Sequence, residues 1–397
     1  MFKIAWKNAW FNKFHSVLSL MLFALGVGLI SFLLQVQQQL QQNFEKNLAG
    51  VDLIIGAKGS PLQLILCNLY HIDNPTGNIK LASVQAFMNP AHPLVAKAIP
   101  VSVGDNYKGF RIVGTTPDFP DLYAVQPEQG SLFTTAMEAC IGYEVSKTAG
   151  LKIGDEFYSE HGLLQGDGEN NHGQKFKVCG IFKPSATVLD QLILTPLESI
   201  WEVHTAHETD TEIHEKSITA LLLKYRNRSN FQTLNLPRNI NENTDMQAAV
   251  PAIEMNRLYV LLGSAEKMLR MLAFAIMMVS GISIFLALLN ALKERRNELA
   301  LLRVMGASAS RLFGLILTEA CILAFVGSTL GLVISHGAMA LFGIYMKNAF
   351  RYTFDGLNFL PEEGVLFFVA LMIGLVSGIV PAVLAYKTRI TPTSGQI

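Results

Sequence analysis

The chain has 397 residues, of which 50% are hydrophobic and only 16% are charged, and its mean hydropathy is +0.33. This composition is too apolar for an ordinary soluble protein and favours an integral membrane protein. Because the formal net charge is zero, no basic field exists to attract a nucleic acid, and we expect no nucleic-acid partner.

The first apolar run predicts a transmembrane helix. No charged residue occurs between Val17 and Leu34, and a helix of this length spans most of a hydrocarbon core about 30 Å thick. Lysines precede the run, but it is longer than the apolar part of a typical signal peptide and no convincing cleavage site follows. We therefore predict an uncleaved span at 17–35 after a cytoplasmic N-terminus at 1–16.

The segment after this span predicts a helical stalk that supports a folded domain. Val36, Leu40, Phe44 and Leu48 recur every four residues among glutamines, which is typical of an amphipathic helix. A second apolar stripe at 253–265 predicts a partner stalk. Short apolar runs between the stalks, bounded by Gly, Pro and Asn, predict a mixed α/β domain within 36–267. These runs lie at 110–113, 176–182, 192–194 and 218–225.

Three more apolar runs predict three further spans, at 268–292, 312–342 and 364–386. The loop 293–311 and the tail 387–397 carry lysine and arginine, which the positive-inside rule assigns to the cytoplasm. Both termini are then cytoplasmic, and segment 36–267 and the short loop 343–363 lie outside. The predicted fold is an integral membrane α-helical protein with four transmembrane helices and a mixed α/β extracytoplasmic domain on helical stalks.

Two kinds of residue in the spans stand out. Glu319 lies about two turns into the third span, where an ionised carboxylate is costly unless it faces the bundle, water or a partner. It is a candidate for coupling or assembly; the alternative is a structural carboxylate near the interface. Glycines at small-residue spacing predict close helix packing. They are Gly26 and Gly28 in the first span and Gly327 and Gly331 in the third.

No motif supports an enzyme. The stretch Gly56 to Pro61 lacks the GK[ST] ending of a phosphate-binding loop, and no GxSxG, HExxH or DxDxDG pattern occurs. We therefore expect that this chain has no catalytic residues and does not bind ATP.

A histidine-rich and acidic stretch is a candidate zinc site. His204, His207 and His214 alternate there with aspartate and glutamate, and imidazole and carboxylate groups are zinc ligands. The alternative is a solvated surface loop. A disulfide between Cys140 and Cys179 is a further alternative that the sequence leaves open, although no CxxC pattern supports it.

The loop after the second span carries a family resemblance. Glu294 to Ser308 reads ERRNELALLRVMGAS, which resembles the ERRxEIxxLRxxGA signature of MacB/FtsX-type permeases, a group that includes the lipoprotein-releasing transporters. The resemblance implies an FtsX-like permease domain at about 268–390. The matching residues are Glu294, Arg295, Arg296, Glu298, Leu302, Arg303, Gly306 and Ala307, with Leu299 in place of isoleucine.

Physical chemistry gives its own account of this motif. Leu299, Leu302 and the pair 304–305 supply apolar side chains on a short helix, the flanking charges can pair with a soluble partner, and Gly306 ends the helix. This predicts a coupling helix. The alternative is a positively charged turn that fixes topology and binds anionic membrane lipid.

The resemblance implies a permease subunit of an ATP-driven transporter in the bacterial inner membrane. Its implied partners are an ATP-binding subunit, which holds ATP and Mg, a second permease copy in a homodimer or heterodimer, and a periplasmic adaptor or lipoprotein. Movement of the periplasmic domain would export or extract a lipoprotein, peptide or small hydrophobic substrate. Two alternatives stay open: a signalling or scaffold protein that regulates a periplasmic partner without transport, and a zinc-linked transport component.

Overall fold

A computed structural model describes residues 2–9, 13–161, 171–205, 216–349 and 354–387. The chain divides into two compact units. We call Met1–Leu40 with Leu262–Ile397 the helical unit, and Gln41–Leu261 the α/β unit. Each unit is described by itself.

The helices and strands are numbered in chain order. The helices are α1 (Phe2–Ala9), α2 (Lys13–Asn47), α3 (Pro61–Asn68), α4 (Leu81–Val84), α5 (Tyr143–Ala149), α6 (Leu197–Thr205), α7 (Phe231–Asn243), α8 (Pro251–Glu294), α9 (Arg296–Val304), α10 (Ala309–Ala349) and α11 (Pro361–Tyr386). The strands are β1 (Leu53–Ala57), β2 (Ile79–Lys80), β3 (Val95–Tyr107), β4 (Phe110–Thr115), β5 (Pro127–Gly130), β6 (Glu138–Ile141), β7 (Glu156–His161), β8 (Asn171–Phe182), β9 (Leu192–Pro196), β10 (Ser217–Ile218), β11 (Ala220–Tyr225) and β12 (Met246–Ala249).

Four helices in the described part of the chain, α2, α8, α10 and α11, are long and apolar enough to cross a membrane. This confirms the number of spans predicted from the apolar runs. Each helix contains its predicted span, and α2 and α8 continue well beyond it into the predicted stalks. Many of their side chains meet in one buried cluster, which includes Phe23, Val27, Met277, Ile284, Leu323 and Ala324.

Helix α1 is an element that the apolar runs did not predict. Ala5 is fully buried in the same cluster, whereas Lys3, Trp6 and Lys7 are exposed. A tryptophan and lysines on the open face of a short amphipathic helix are typical of a helix in the plane of the membrane interface.

Glycines allow α2 and α10 to approach closely. A Cβ atom added to Gly28 would lie 2.9 Å from the carbonyl oxygen of Gly331, and one added to Gly331 would lie 2.7 Å from that of Ala24. Gly327 lies against the side chain of Phe23 in the same way. The predicted packing role of these glycines is confirmed, because only the missing side chain leaves room for the two backbones.

The described strands of the α/β unit form a large mixed sheet in the order β12, β1, β11, β3, β4, β9, β6, β8 and β5, with β7 paired to both β3 and β8. The pairs β4/β9 and β6/β8 are parallel, and the other pairs are antiparallel. Strands β10 and β2 form a separate pair. Every residue of β4 is buried, as expected for a strand in a parallel pair covered on both faces. The apolar runs at 110–113, 176–182, 192–194 and 218–225 lie in β4, β8, β9 and β10 to β11, and the predicted mixed α/β domain is confirmed.

Strand β7 closes part of this sheet into a ring. It pairs with β8 along its length and with β3 through Asp105↔His161 and Asn106↔Glu160. The ring runs β3, β4, β9, β6, β8, β7 and back to β3. It shares one buried cluster with α5 and α6, which includes Phe110, Ile141, Val145, Phe157, Phe176, Ile193 and Ile200.

Aromatic contacts anchor the two stalk segments within the α/β unit. The ring of Phe44 on α2 packs edge to face on Tyr70, at 5.0 Å between centroids, and on Tyr259 of α8, at 6.0 Å. The Tyr70 hydroxyl also donates a hydrogen bond of 3.2 Å to the Phe44 carbonyl. The predicted pairing of the two stalks is thus visible at this contact.

The four cysteines are free thiols, so the Cys140–Cys179 disulfide that the sequence left open is not formed here. Burial raises the pKa of Cys67 and of Cys179 to about 11, and it raises the pKa of Cys140 further still. Because the thiolate is the nucleophile, these thiols are unreactive at neutral pH.

We predict that Gly331→Leu destabilises the protein by about 1–3 kcal/mol, the usual cost of overpacking, because its side chain would push α10 away from α2. Thermal unfolding in detergent measures the change. Gly337→Leu is the matched control, since Gly337 lies on the same helix with open space around its Cβ position. Equal stability of the two variants would contradict the close contact.

We also predict that Cys67 and Cys140 react with a small maleimide at about pH 7.5 only after the protein unfolds. Mass spectrometry of labelled peptides measures this. A Ser131→Cys variant supplies an exposed thiol in the same unit as the positive control. Labelling of Cys140 in the folded protein at the rate of that control would contradict its burial.

Candidate functional site

The loop that carries the signature motif folds into the short helix α9. Helix α8 ends at Glu294, and Arg295 adopts φ −100° and ψ 14°, which turns the chain before α9 begins at Arg296. The Arg295 carbonyl accepts the first helical hydrogen bond, from the Leu299 N–H at 3.0 Å.

Gly306 ends this helix, as the sequence predicts. Its φ is +98°, a conformation that favours glycine. The Gly306 N–H donates to the Arg303 carbonyl at 3.1 Å, and the Ala307 N–H donates to the Leu302 carbonyl at 2.9 Å. These two bonds form a Schellman motif, which satisfies carbonyls at the end of α9 and fixes the direction of the chain into α10.

One face of α9 belongs to the core of the helical unit. Leu299 is only 5% exposed and lies in the buried cluster of that unit, and Leu302 packs against the same cluster. The sequence placed both leucines on a short coupling helix without assigning them to one of its faces, and the structure shows that they face inward, against the long helices. Their role in coupling stays a prediction.

Arg295 and Glu319 were singled out separately, and the structure brings them together. The Arg295 Nη1 lies 3.9 Å from the Glu319 Oε1, and the two side chains are 9% and 2% exposed. A buried carboxylate in an apolar bundle needs such a cation. The Arg295 guanidinium therefore lies inside the unit beside Glu319, and its role in coupling to a partner stays a prediction.

The opposite face of α9 is apolar and exposed. Leu301, Val304 and Met305 are 60%, 66% and 76% exposed, and Glu298 is exposed beside them. Leu301 was missed at the sequence level, although positions 301, 304 and 305 show the i, i+3, i+4 spacing of a single helix face. Exposed apolar patches of this kind occur at protein-binding and at membrane-binding surfaces.

The other motif residues differ in their exposure and in whether their side chains are described. Arg303 is half-buried, and its Nη1 is enclosed without a hydrogen-bond partner among the residues that the structure describes. Glu294 is exposed and Ala307 is half-buried. For Arg296 only the backbone is described, at the first position of α9.

The candidate zinc ligands fall mostly outside the described residues. His207 and His214 lie outside them, and His204 is described only as a backbone position near the end of α6. Within the described ranges no group of three or more metal-ligating side chains occurs. The zinc site stays a prediction.

No motif predicted Arg111 or His71: Arg111 is buried, and the half-buried His71 has both ring nitrogens enclosed without a hydrogen-bond partner among the described residues. Arg111 on β4 lies 3.4 Å from the Cys67 carbonyl, near the end of α3. Burial, with a smaller contribution from Arg111, lowers the pKa of His71 to about 3. His71 is therefore neutral in the folded protein at physiological pH.

Two family models together match nearly the whole chain. The MacB-like periplasmic core domain matches residues 16–252, and the C-terminal FtsX-like permease domain matches residues 270–391. The second match covers α9 and the helices on either side of it.

The curated relatives that match this chain are named as ATP-binding/permease proteins. The pyoverdine export ATP-binding/permease protein PvdT of Pseudomonas aeruginosa is 24% identical over 96% of this chain and 56% of its own length. The macrolide export ATP-binding/permease protein MacB of Escherichia coli is 22% identical over 54% of this chain and 30% of its own length. The chain thus spans about half the length of the PvdT proteins it matches.

One solved structure that this chain resembles is the periplasmic region of MacB from Actinobacillus actinomycetemcomitans. The alignment covers 54% of this chain and 97% of the MacB chain, at 11% sequence identity and with a TM-score of 0.35. A superposition at that score adds nothing to the assignment, which rests on the family models and on the four apolar helices. The chain is a membrane protein that belongs to the MacB/FtsX-type permeases of ABC transporters.

Proposed function

We propose that this chain is the permease subunit of an ATP-driven transporter and that it docks on an ATP-binding subunit through the exposed face of α9. The observation that carries the proposal is the division of α9 into two faces. Leu299 fixes the helix to the bundle, while Leu301, Val304 and Met305 remain exposed within the segment that matches the permease family.

The internal pair supports a mechanical role for this helix. A force that the ATP-binding subunit applies to α9 would reach α10 through Arg295 and Glu319 and reach α8 through the chain itself. ATP and Mg would be held by the ATP-binding subunit, and closure of two such subunits would move the α9 helices of two permease copies. The long helices α2 and α8 would carry this motion toward the α/β unit.

The charge distribution supports the proposed orientation. Lysine and arginine are concentrated in 293–311, so we place α9 and both termini in the cytoplasm and the α/β unit on the outer side of the bacterial inner membrane. With this orientation the α/β unit meets the cargo, and an adaptor or a lipoprotein would bind on that side.

The relatives suggest the class of cargo. Their printed names refer to export of pyoverdine and of macrolides. We propose an amphiphilic cargo for this chain: a peptide, a lipoprotein or a small hydrophobic compound. Transport into inside-out vesicles tests this directly. ATPase activity without movement of any such compound would favour the alternative role of a signalling or scaffold protein.

We predict that Val304→Glu combined with Met305→Glu weakens binding of the ATP-binding subunit at least tenfold, since exposed apolar side chains at the centre of an interface contribute most of the affinity. The measurement is copurification from mild detergent, with subunits identified by mass spectrometry, together with ATPase activity. Folding should be unaffected because both side chains are exposed.

Phe231→Glu is the matched control for this experiment. Phe231 is 78% exposed on α7 of the α/β unit, so the substitution replaces an equally open apolar side chain by the same acid. Loss of the ATP-binding subunit from this control, or its retention by the α9 double variant, would contradict docking through α9.

We predict a different result at the internal pair. Arg295→Glu leaves a buried carboxylate next to Glu319 and should destabilise the fold by about 3–5 kcal/mol. The swapped variant Arg295→Glu/Glu319→Arg should recover part of that loss, because opposite charges again face each other. Thermal unfolding of the single and double variants measures the coupling between the two sites. Equal stability of the single and swapped variants would show that the pair does not hold α9 to α10.

A further inference from the structure

The short helix α1 presents a basic face at one end of the helical unit. Lys3, Trp6 and Lys7 are exposed, whereas Ala5 is fully buried in the cluster of that unit. Positions 3 and 7 lie one turn apart on the same side of a helix, with position 6 beside them. The side of α1 that faces away from the bundle therefore carries two ammonium groups and one indole ring.

The positive charge of this face is not balanced by nearby carboxylates. Neither Lys3 nor Lys7 forms an ion pair with a residue that the structure describes. The first acidic residue of the chain is Glu45, near the far end of α2. Two lysines four residues apart on one helix repel each other. An anion from outside the chain would offset that repulsion.

The chain connections fix the end of the bundle at which α1 lies. Only residues 10–12 separate α1 from α2, so α1 lies at the start of α2. On α2 and α8, Gln37 binds Arg270 and Gly26 lies against Met277. These two helices are therefore antiparallel, and the start of α2 lies at the same end as the last turn of α8. Since α9 follows α8 directly, α1 and α9 share one end of the bundle, which is the cytoplasmic end in the proposed orientation.

We propose that the exposed face of α1 binds the anionic headgroups of membrane phospholipids, with Lys3 and Lys7 against the phosphates and Trp6 at the boundary with the acyl chains. An anionic lipid surface attracts nearby lysines, and tryptophan is enriched at the membrane interface. Arg311, near the start of α10, adds a third exposed cation at this end of the bundle. The inference does not rest on the proposed transport function.

Charge distinguishes this face from the exposed face of α9. The apolar side chains of α9 lie on the same short helix as the exposed Glu298, and Glu294 is exposed just before that helix. An anionic lipid surface repels carboxylates, whereas a protein partner can pair with them. Residues 1–16 contain no aspartate or glutamate. The charge of α1 therefore favours a lipid surface as its partner, and the charge next to α9 does not.

Headgroup binding at α1 also restrains a long helix of the bundle. Helix α1 packs against α10, and Ala5 belongs to the same buried cluster as Leu312 and Leu315 of α10. Lipids that hold α1 in the plane of the interface therefore hold α10 at a fixed depth in the bilayer. The attraction is electrostatic and extends about 10 Å at 0.1 M salt, so a higher salt concentration weakens it.

The test is quenching of Trp6 fluorescence by brominated lipids, with the full chain in nanodiscs. The chain has three tryptophans, so Trp10→Phe/Trp201→Phe gives a parent chain in which Trp6 is the only one. Brominated phosphatidylglycerol, diluted into phosphatidylcholine, should quench Trp6 more strongly than brominated phosphatidylcholine at the same fraction. Each lysine raises the local affinity for anionic lipid about fivefold. Lys3→Gln/Lys7→Gln in the parent chain should therefore remove most of this preference.

Lys147→Gln/Lys152→Gln is the matched control, because both lysines are exposed in the α/β unit and the net charge changes by the same amount. It should keep the lipid preference of the parent chain. Thermal unfolding verifies that each variant is folded. Equal quenching of the parent chain by the two lipids, or an unchanged preference in Lys3→Gln/Lys7→Gln, would overturn the proposal. If neither lipid quenches Trp6, α1 lies away from the membrane and the proposal is wrong.

Discussion

A carboxylate inside an apolar helix bundle must find its cation and its hydrogen-bond donors within the bundle, and this constraint organises the helical unit. Glu319 meets Arg295 near one end of α10, and Glu363 meets Ser31, Gln35 and His336 near the other. Glu319 and His336 are about 25 Å apart along the helix at roughly 1.5 Å per residue. Helix α10 is therefore the element against which both polar clusters are built.

The glycine contact between α2 and α10 makes the second cluster possible. Gly28 and Gly331 let the two backbones meet, and one turn further along, the hydroxyls of Ser31 and Ser335 lie 2.8 Å apart. With larger residues at the glycine positions, these short side chains could not reach each other. Small-residue spacing in this protein thus sets the distance at which a polar network can form, in addition to packing two helices.

Sequence patterns predicted the helices and strands whose signal lies within one continuous segment of the chain. The long apolar runs predicted α2, α8, α10 and α11, and short apolar runs predicted strands such as β4 and β8, because periodicity and length are properties of one segment. They did not predict that β7 closes a ring between β3 and β8, since that pairing joins residues far apart in the chain. The Arg295–Glu319 pair was missed for the same reason: a motif identifies residue types and leaves their partners open.

The two faces of α9 account for the composition of its motif. Helix α9 has nine residues, and its two faces have different surroundings. Leu299 and the preceding Arg295 face the bundle, so they determine where the helix sits, while Leu301, Val304 and Met305 face away. Gly306 then ends the helix in a conformation that favours glycine, so the chain enters α10 with Glu319 in reach of Arg295. The arginine at the start contacts Glu319, the glycine at the end lets the helix stop, and the apolar face between them is exposed.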